Sequence, residues 1–289
     1  MKFNNTYLIL FTGMILWGLY PIFTHRYIVG LDPMLLVGIS TLIASVPFII
    51  QLIIKKELSQ LFSVKILKTL IFVALFTAVG YSFLFIGTKL TSGTNTGLLL
   101  QIEPIYSLIL GVIFLGEIVS SGQVFATLLM VVGAMIIVYK GGSSINLGDI
   151  LILLSPLNFQ ISHLIGKRLL NKKVGVTVIL AGRQFFGGVM LLLFTFVTNK
   201  NYISLLNYHG ISVGSFLGII TSIIALCWYT SIKKIPVSVA SSFIPLTALV
   251  SLVASAVYLK EVISIQQYVG FVLIVGGMFW QTYITNYKA

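Results

Sequence analysis

Ten long apolar stretches joined by short polar connections leave this 289-residue chain few ways to fold. A helix needs about 20 apolar residues to cross the hydrocarbon core of a bilayer. Breaks at charges and at Gly/Pro/Asn clusters place spans at Tyr7–Thr24, Met34–Ile54, Ile66–Gly87, Thr94–Leu115 and Gly122–Tyr139, then at Leu147–Ile165, Val176–Thr198, Ile211–Ser231, Val237–Leu259 and Ile265–Ile284. The connections, about four to twelve residues each, are too short to hold a soluble domain. Only 8% of residues are charged, against about 25% in a soluble domain, so a globular, disordered or fibrous chain is excluded. The fold class is an all-α integral membrane protein with ten transmembrane helices. The first stretch is too long for a signal-peptide core and lacks a cleavage pattern, so no cleavable signal is expected. The single cysteine, Cys227, permits no internal disulfide.

The formal charge of +12 then reads as topology rather than as a nucleic-acid face, for which there is too little polar sequence. With the N-terminus inside, twelve Lys and Arg residues fall on the inner side: Lys2, Lys55, Lys56, Lys65, Lys68, Lys167, Arg168, Lys172, Lys173, Lys233, Lys234 and Lys288. Five fall outside (Arg26, Lys89, Lys140, Lys200 and Lys260), and Arg183 lies within a span. Basic short loops stay cytoplasmic, so both termini are expected inside, in a multi-pass protein of the cell (inner) membrane.

An offset of 144 residues aligns Ser107–Tyr139 with Ser251–Tyr283 at ten identities in thirty-three positions without a gap. The matches include Glu117/Glu261, Ser120/Ser264, Gln123/Gln267 and Gly133/Gly277. Identical polar residues at one offset indicate duplication, with residues 1–144 and 145–289 as two five-helix repeats. Five is odd, so the second repeat enters the membrane from the opposite side. Inverted repeats of this kind recur in secondary transporters, whose substrate site lies near the midplane between the halves.

Trp17-Gly18, Glu103-Pro104, Leu115-Gly116-Glu117 and Gly133, echoed by Ala240, Leu259-Lys260-Glu261 and Gly276-Gly277, resemble the EamA-type motifs of the drug/metabolite transporter superfamily. The resemblance implies two inverted five-helix repeats and export of small metabolites or drugs across the bacterial inner membrane. The chain departs from the family pattern at Ala248 and at Ser40, where many members carry a proline and an arginine.

Ionisable groups at membrane depth are costly, by about 2.5–3.5 kcal/mol on insertion scales, and require a reason. Glu103 has two readings: a carboxylate that couples transport to protons, or a structural carboxyl beside the Pro104 kink. Arg183 either holds a substrate carboxylate through its planar fork or pairs with a neighbouring helix, its flanking glycines forming a packing face. His163, four residues before Lys167, is either a titrating group at the inner mouth or a histidine bonded to a backbone carbonyl.

Aromatic and hydroxyl side chains suggest the binding cavity. Trp17, Tyr20, Pro21 and Thr24 share one face of the first helix. Ser155, Phe159, Ser162 and His163, with Asn158 at the edge, share one face of the sixth. Tyr81 with Thr77, and Trp228 and Tyr229 with Thr221 and Ala225, come from the third and eighth helices. Gln101 and Thr94 on the fourth, and Ser238, Ser241, Ser242 and Thr247 on the ninth, complete a polar seam. Aromatic rings with polar tips suit amines and apolar side chains.

The chain carries no phosphate-binding loop, metal cluster or nucleophile elbow, so neither an enzyme nor a nucleotide-driven pump is expected. The expected partners are a small-molecule substrate and the lipid bilayer, with protons as the coupling ion and no cofactor or nucleic acid.

Overall fold

The computed structural model describes residues 5–115, 120–138, 146–198, 207–234 and 243–287, which contain helices and no strand. In chain order these are α1 (Asn5–Tyr27), α2 (Pro33–Ile54), α3 (Val64–Leu90), α4 (Gly93–Leu99), α5 (Glu103–Leu115), α6 (Ser121–Val138), α7 (Leu147–Asn171), α8 (Val176–Thr198), α9 (Tyr208–Ile232), α10 (Ile244–Ala254) and α11 (Ile265–Tyr287). Six of these, α1, α2, α3, α7, α8 and α9, are long and apolar enough to cross a membrane, and shorter apolar helices run over Ser121–Ile137, Leu246–Leu259 and Ile265–Trp280. Outward faces carry large apolar side chains such as Ile54, Phe114, Val197 and Val272, a surface suited to lipid rather than water. The chain is a multi-pass membrane protein.

The expected fourth span is broken. Pro104 has no N–H to offer the Leu100 carbonyl, which instead receives the Glu103 N–H in a 3₁₀ turn, Leu100–Ile102, between α4 and α5. The break sets Glu103 at the first position of α5, deep in the bundle.

The duplication seen in sequence is visible in local structure. Ser120 and Gln123 form a capping box before α6, the Ser120 N–H donating to Gln123 Oε1 at 2.8 Å. Ser264 and Gln267 repeat it before α11 at 2.9 Å. Helix pairing repeats as well. With α1 matched to α7, α2 to α8, α3 to α9, α4–α5 to α10 and α6 to α11, exchanging the two sets leaves the principal packing partners unchanged. Thus α3 packs on α7 and α9 on α1, α2 on α9 and α8 on α3, while α2–α8 and α6–α11 map onto themselves. Small residues permit the self-paired contacts: a Cβ on Gly133 would lie 2.8 Å from the Gly270 carbonyl oxygen, and one on Gly188 would lie 2.6 Å from the Leu42 nitrogen.

Intrahelical carbonyls absorb many hydroxyls, as where Thr24 donates to Tyr20 O and Thr195 to Leu191 O, both at 2.9 Å. At one end of the bundle α2 begins under Asp32, whose carboxylate accepts the Leu35 N–H at 2.8 Å, with Pro33 in the first turn. At the other end α2 is capped by Lys55, α7 by Lys172 and α9 by Lys233, cations where the helix carbonyls point outward.

Candidate functional site

The seven helices α1, α3, α5, α7, α8, α9 and α10 enclose a cavity in which about 90 Å³ is open to the centres of water-sized atoms. Its wall is formed by Gly13, Met14 and Trp17 of α1, Tyr81 of α3, Glu103 of α5, Phe159 and His163 of α7, and Arg183 of α8. The α9 residues Thr221, Ile224, Ala225, Trp228 and Tyr229, with Ile244 of α10, complete it. Both repeats contribute. On α7 and α9 these residues lie in the half that ends at the lysines, and Arg183 is near the start of α8, so the cavity sits toward the lysine-rich end.

Two opposite charges share this wall without touching. Arg183 is only 5% exposed. Its Nε–H donates to Thr77 Oγ1 at 2.9 Å, while Thr77 and Ser162 lie 2.8 Å apart and each also donates to the Val73 carbonyl, at 2.8 and 2.9 Å. This hydroxyl brace fixes the guanidinium's inner edge. Among the described residues, the terminal amino groups of Arg183 have no acceptor and no carboxylate in ion-pair contact. Glu103 is half-buried and bonded through one oxygen, Oε1, to the Gln160 side chain, and among the described residues Oε2 has no donor. An unpaired buried charge is costly, so its persistence calls for an explanation in function.

Rings enclose these charges. Phe159 meets Tyr81 edge-on at 4.9 Å and Trp17 at 6.3 Å between centroids, forming one aromatic group. His163 stacks on Trp228 at 6.5 Å and meets Tyr229 edge-on at 6.2 Å, forming the other. The Tyr229 hydroxyl is buried with no hydrogen-bond partner among the described residues.

Of the residues singled out in sequence, Trp17, Tyr81, Phe159, His163, Thr221, Ala225, Trp228, Tyr229, Glu103 and Arg183 line the cavity. Tyr20 lies behind the wall, stacked on Trp17 at 5.8 Å and edge-on to Phe85 at 6.3 Å. Gln101 is turned between helices, accepting from Thr247 at 2.7 Å and donating to Gly97 O at 3.0 Å. Asn158 donates back to Leu154 O, and Ser162 belongs to the brace behind Arg183. Ser242, with Ser238, Ser241 and Glu117, lies outside the described residues. Sequence reasoning passed over Gln160, although a polar amide inside an apolar span is itself a signal. It also passed over Gly13, Met14, Ile224 and Ile244, apolar wall residues with no distinguishing pattern.

A helical membrane protein of two repeats, with a largely apolar cavity holding a few charged and polar groups where they meet, has the architecture of membrane transporters. The EamA-like transporter family matches residues 4–139 and again 146–283, and the chain belongs to that family. It is 25% identical over 276 residues to the uncharacterized transporter YoaV of Bacillus subtilis, covering 93% of this chain and 94% of that one. An uncharacterized transporter of Archaeoglobus fulgidus is 26% identical over 264 residues, covering 91% and 93%. A solved crystal structure superposes with a TM-score of 0.70 at 18% identity, over 98% of this chain and 99% of the other, a likeness of fold.

Proposed function

We propose that this protein is a secondary-active exporter of small metabolites, amino acids or related amphipathic solutes, working by alternating access. Ten spans form two inverted five-helix repeats, 1–144 and 145–289, with both termini on the cytoplasmic side of the cell membrane. The observation that carries this reading is the pair of opposite charges, Arg183 and Glu103, held out of contact on one cavity wall built from both repeats. A carboxylate suits the free edge of the guanidinium, an ammonium suits Glu103 and the ring faces, and an apolar side chain suits the aromatic groups. With about 90 Å³ open to the centres of water-sized atoms, the cavity has room for a small solute. Glu103, held by one neutral donor, is the group able to exchange a proton during the cycle and so couple export to protons.

The test is flux from proteoliposomes loaded with a panel of labelled amino acids, amines and carboxylic acids, with and without an imposed proton gradient. Zwitterion efflux that responds to the gradient is expected. Movement of none of these solutes would overturn the transporter assignment, and movement of simple amines alone would overturn the zwitterionic substrate.

A further inference from the structure

At the end of the bundle opposite the lysines, one carboxylate from the second repeat fastens the first repeat's broken helix. The chain leaves α10 through a five-residue π turn, Ser255–Leu259, and a left-handed Lys260 at φ 57, which delivers Glu261 to the start of α4. Glu261 Oε1 accepts the Gly93 N–H at 2.9 Å, and Oε2 accepts the Thr94 N–H at 2.8 Å and the Thr94 hydroxyl at 2.5 Å. A further bridge runs beside it: Gln267 of α11 donates to Asn95 at 2.7 Å, and Asn95 donates to Asp149 of α7 at 3.0 Å. α4 is the outer half of the helix that carries Glu103 into the cavity.

His25, at the end of α1, adds a switchable contact. Its Nδ1 lies 3.0 Å from Thr88 O, and a carbonyl can only accept, so Nδ1 bears the proton. Nε2 therefore faces Glu261 Oε1, 3.6 Å away, with a lone pair when the ring is neutral and with an N–H when it is protonated. The neutral ring repels the carboxylate, and the protonated ring completes an ion pair between α1 and the α10–α11 connection. Among the described residues, the other charged and titratable groups at this end are engaged or solvated: Lys89 donates to Leu31 O at 2.8 Å, Asp32 caps α2, Asp149 accepts from Thr91 and Asn95, and Arg26, His209 and Lys260 are exposed.

We infer that His25 and Glu261 form an outer latch that closes the extracellular mouth of the transport path and tightens when the external medium becomes acidic. The inference rests on the alternating-access reading, because opening to the outside requires α4 to part from Glu261. The cavity lies toward the lysine-rich side, away from this bonded end.

The test uses full-length protein in lipid vesicles, with nitroxide labels at Val29→Cys and Val262→Cys, both exposed at this end, and Cys227→Ala to leave no other thiol. Pulsed electron resonance then reads the distance across the mouth. Raising the pH from about 5 to about 8 should increase the open-to-closed ratio about two- to fivefold, the scale of a part-exposed ion pair. His25→Ala should be open at both pH values, and His25→Gln, neutral but able to donate, closed at both. Glu261→Gln should be open throughout. A pH response that persists in His25→Ala, or an unchanged distance in Glu261→Gln, would overturn the latch. Failure of the transport reading looks different: distances respond as stated while the vesicles move no solute. Solute flux with an intact pH response in His25→Ala removes the latch alone.

Discussion

Glu261 and Glu103 are both carboxylates set against a helix start, yet their surroundings are opposite. Glu261 is saturated: two backbone N–H groups and a hydroxyl donate to it, and His25 stands beside it. Glu103 has, among the described residues, a single donor, Gln160, and lines a cavity that it shares with an equally underused guanidinium. A carboxylate whose lone pairs are filled by the fold contributes to the fold, and removing it leaves donors stranded. One that the fold leaves half-filled contributes little to stability and is available to a solute or a proton. The difference predicts that damage at the two sites separates cleanly into stability and activity.

The largest effect should come from the saturated site. Glu261→Ala strips the α4 start of its acceptors, and lost capping together with lost charge-assisted bonds should destabilise the protein by about 2–4 kcal/mol. Thermal unfolding in detergent measures it. An unfolding midpoint equal to that of the parent would mean that the geometry at Gly93 and Thr94 carries no stability, and the comparison would fail at its stronger end.

Arg183→Gln comes next, with the opposite signature. Losing a charge-assisted contact of about 1.5–3 kcal/mol should lower substrate affinity about 10–100-fold. Stability should hold or rise, since an unpaired buried charge is removed. Equilibrium binding and unfolding on the same preparation check both. A large loss of stability with unchanged affinity would make Arg183 a structural residue.

The apolar helices, the duplication and the carboxylate at the helix break were legible in sequence because each rests on local chemistry: hydropathy, an ungapped offset, a carboxylate before a proline. Ten of the chosen residues line the cavity, eight of them aromatic or charged, because such side chains inside a membrane have few places to go. What was not legible depends on which helices meet. Thr77 and Ser162 become the brace of Arg183 only when α3, α7 and α8 pack together, and Tyr20 is turned to Phe85 by α3 although it follows Trp17 by one turn. Glu261 was read as half of a repeated motif, but its partners Gly93 and Thr94 lie 168 and 167 residues away, beyond any local pattern.

Glu103→Gln sharpens the contrast within one residue type. The amide keeps the shape and can still meet Gln160, so stability should change by less than about 1 kcal/mol. Proton-driven flux should lose its dependence on the gradient, while downhill exchange at matched pH continues. Flux that still follows the gradient in this variant would leave Glu103 outside the coupling step. Glu261→Gln under the same assay should instead lower stability and alter the outer distance, so the two isosteric changes report on different properties.

The smallest effect tests whether the cavity wall itself carries unused polarity. The Tyr229 hydroxyl is buried without a partner among the described residues, and its ring packs edge-on to His163 at 6.2 Å. Tyr229→Phe removes the oxygen and keeps the ring, so the protein should be unchanged or more stable by up to about 1 kcal/mol, because no hydrogen bond is lost and a stranded polar group is removed. If the hydroxyl serves the solute rather than the fold, affinity should fall up to about tenfold over the same change, the size of one hydrogen bond. Binding and unfolding on one preparation decide between these outcomes. A stability loss would place Tyr229 with Glu261 among the residues the fold has already used, and a stability gain with weaker binding would place it with Arg183 and Glu103.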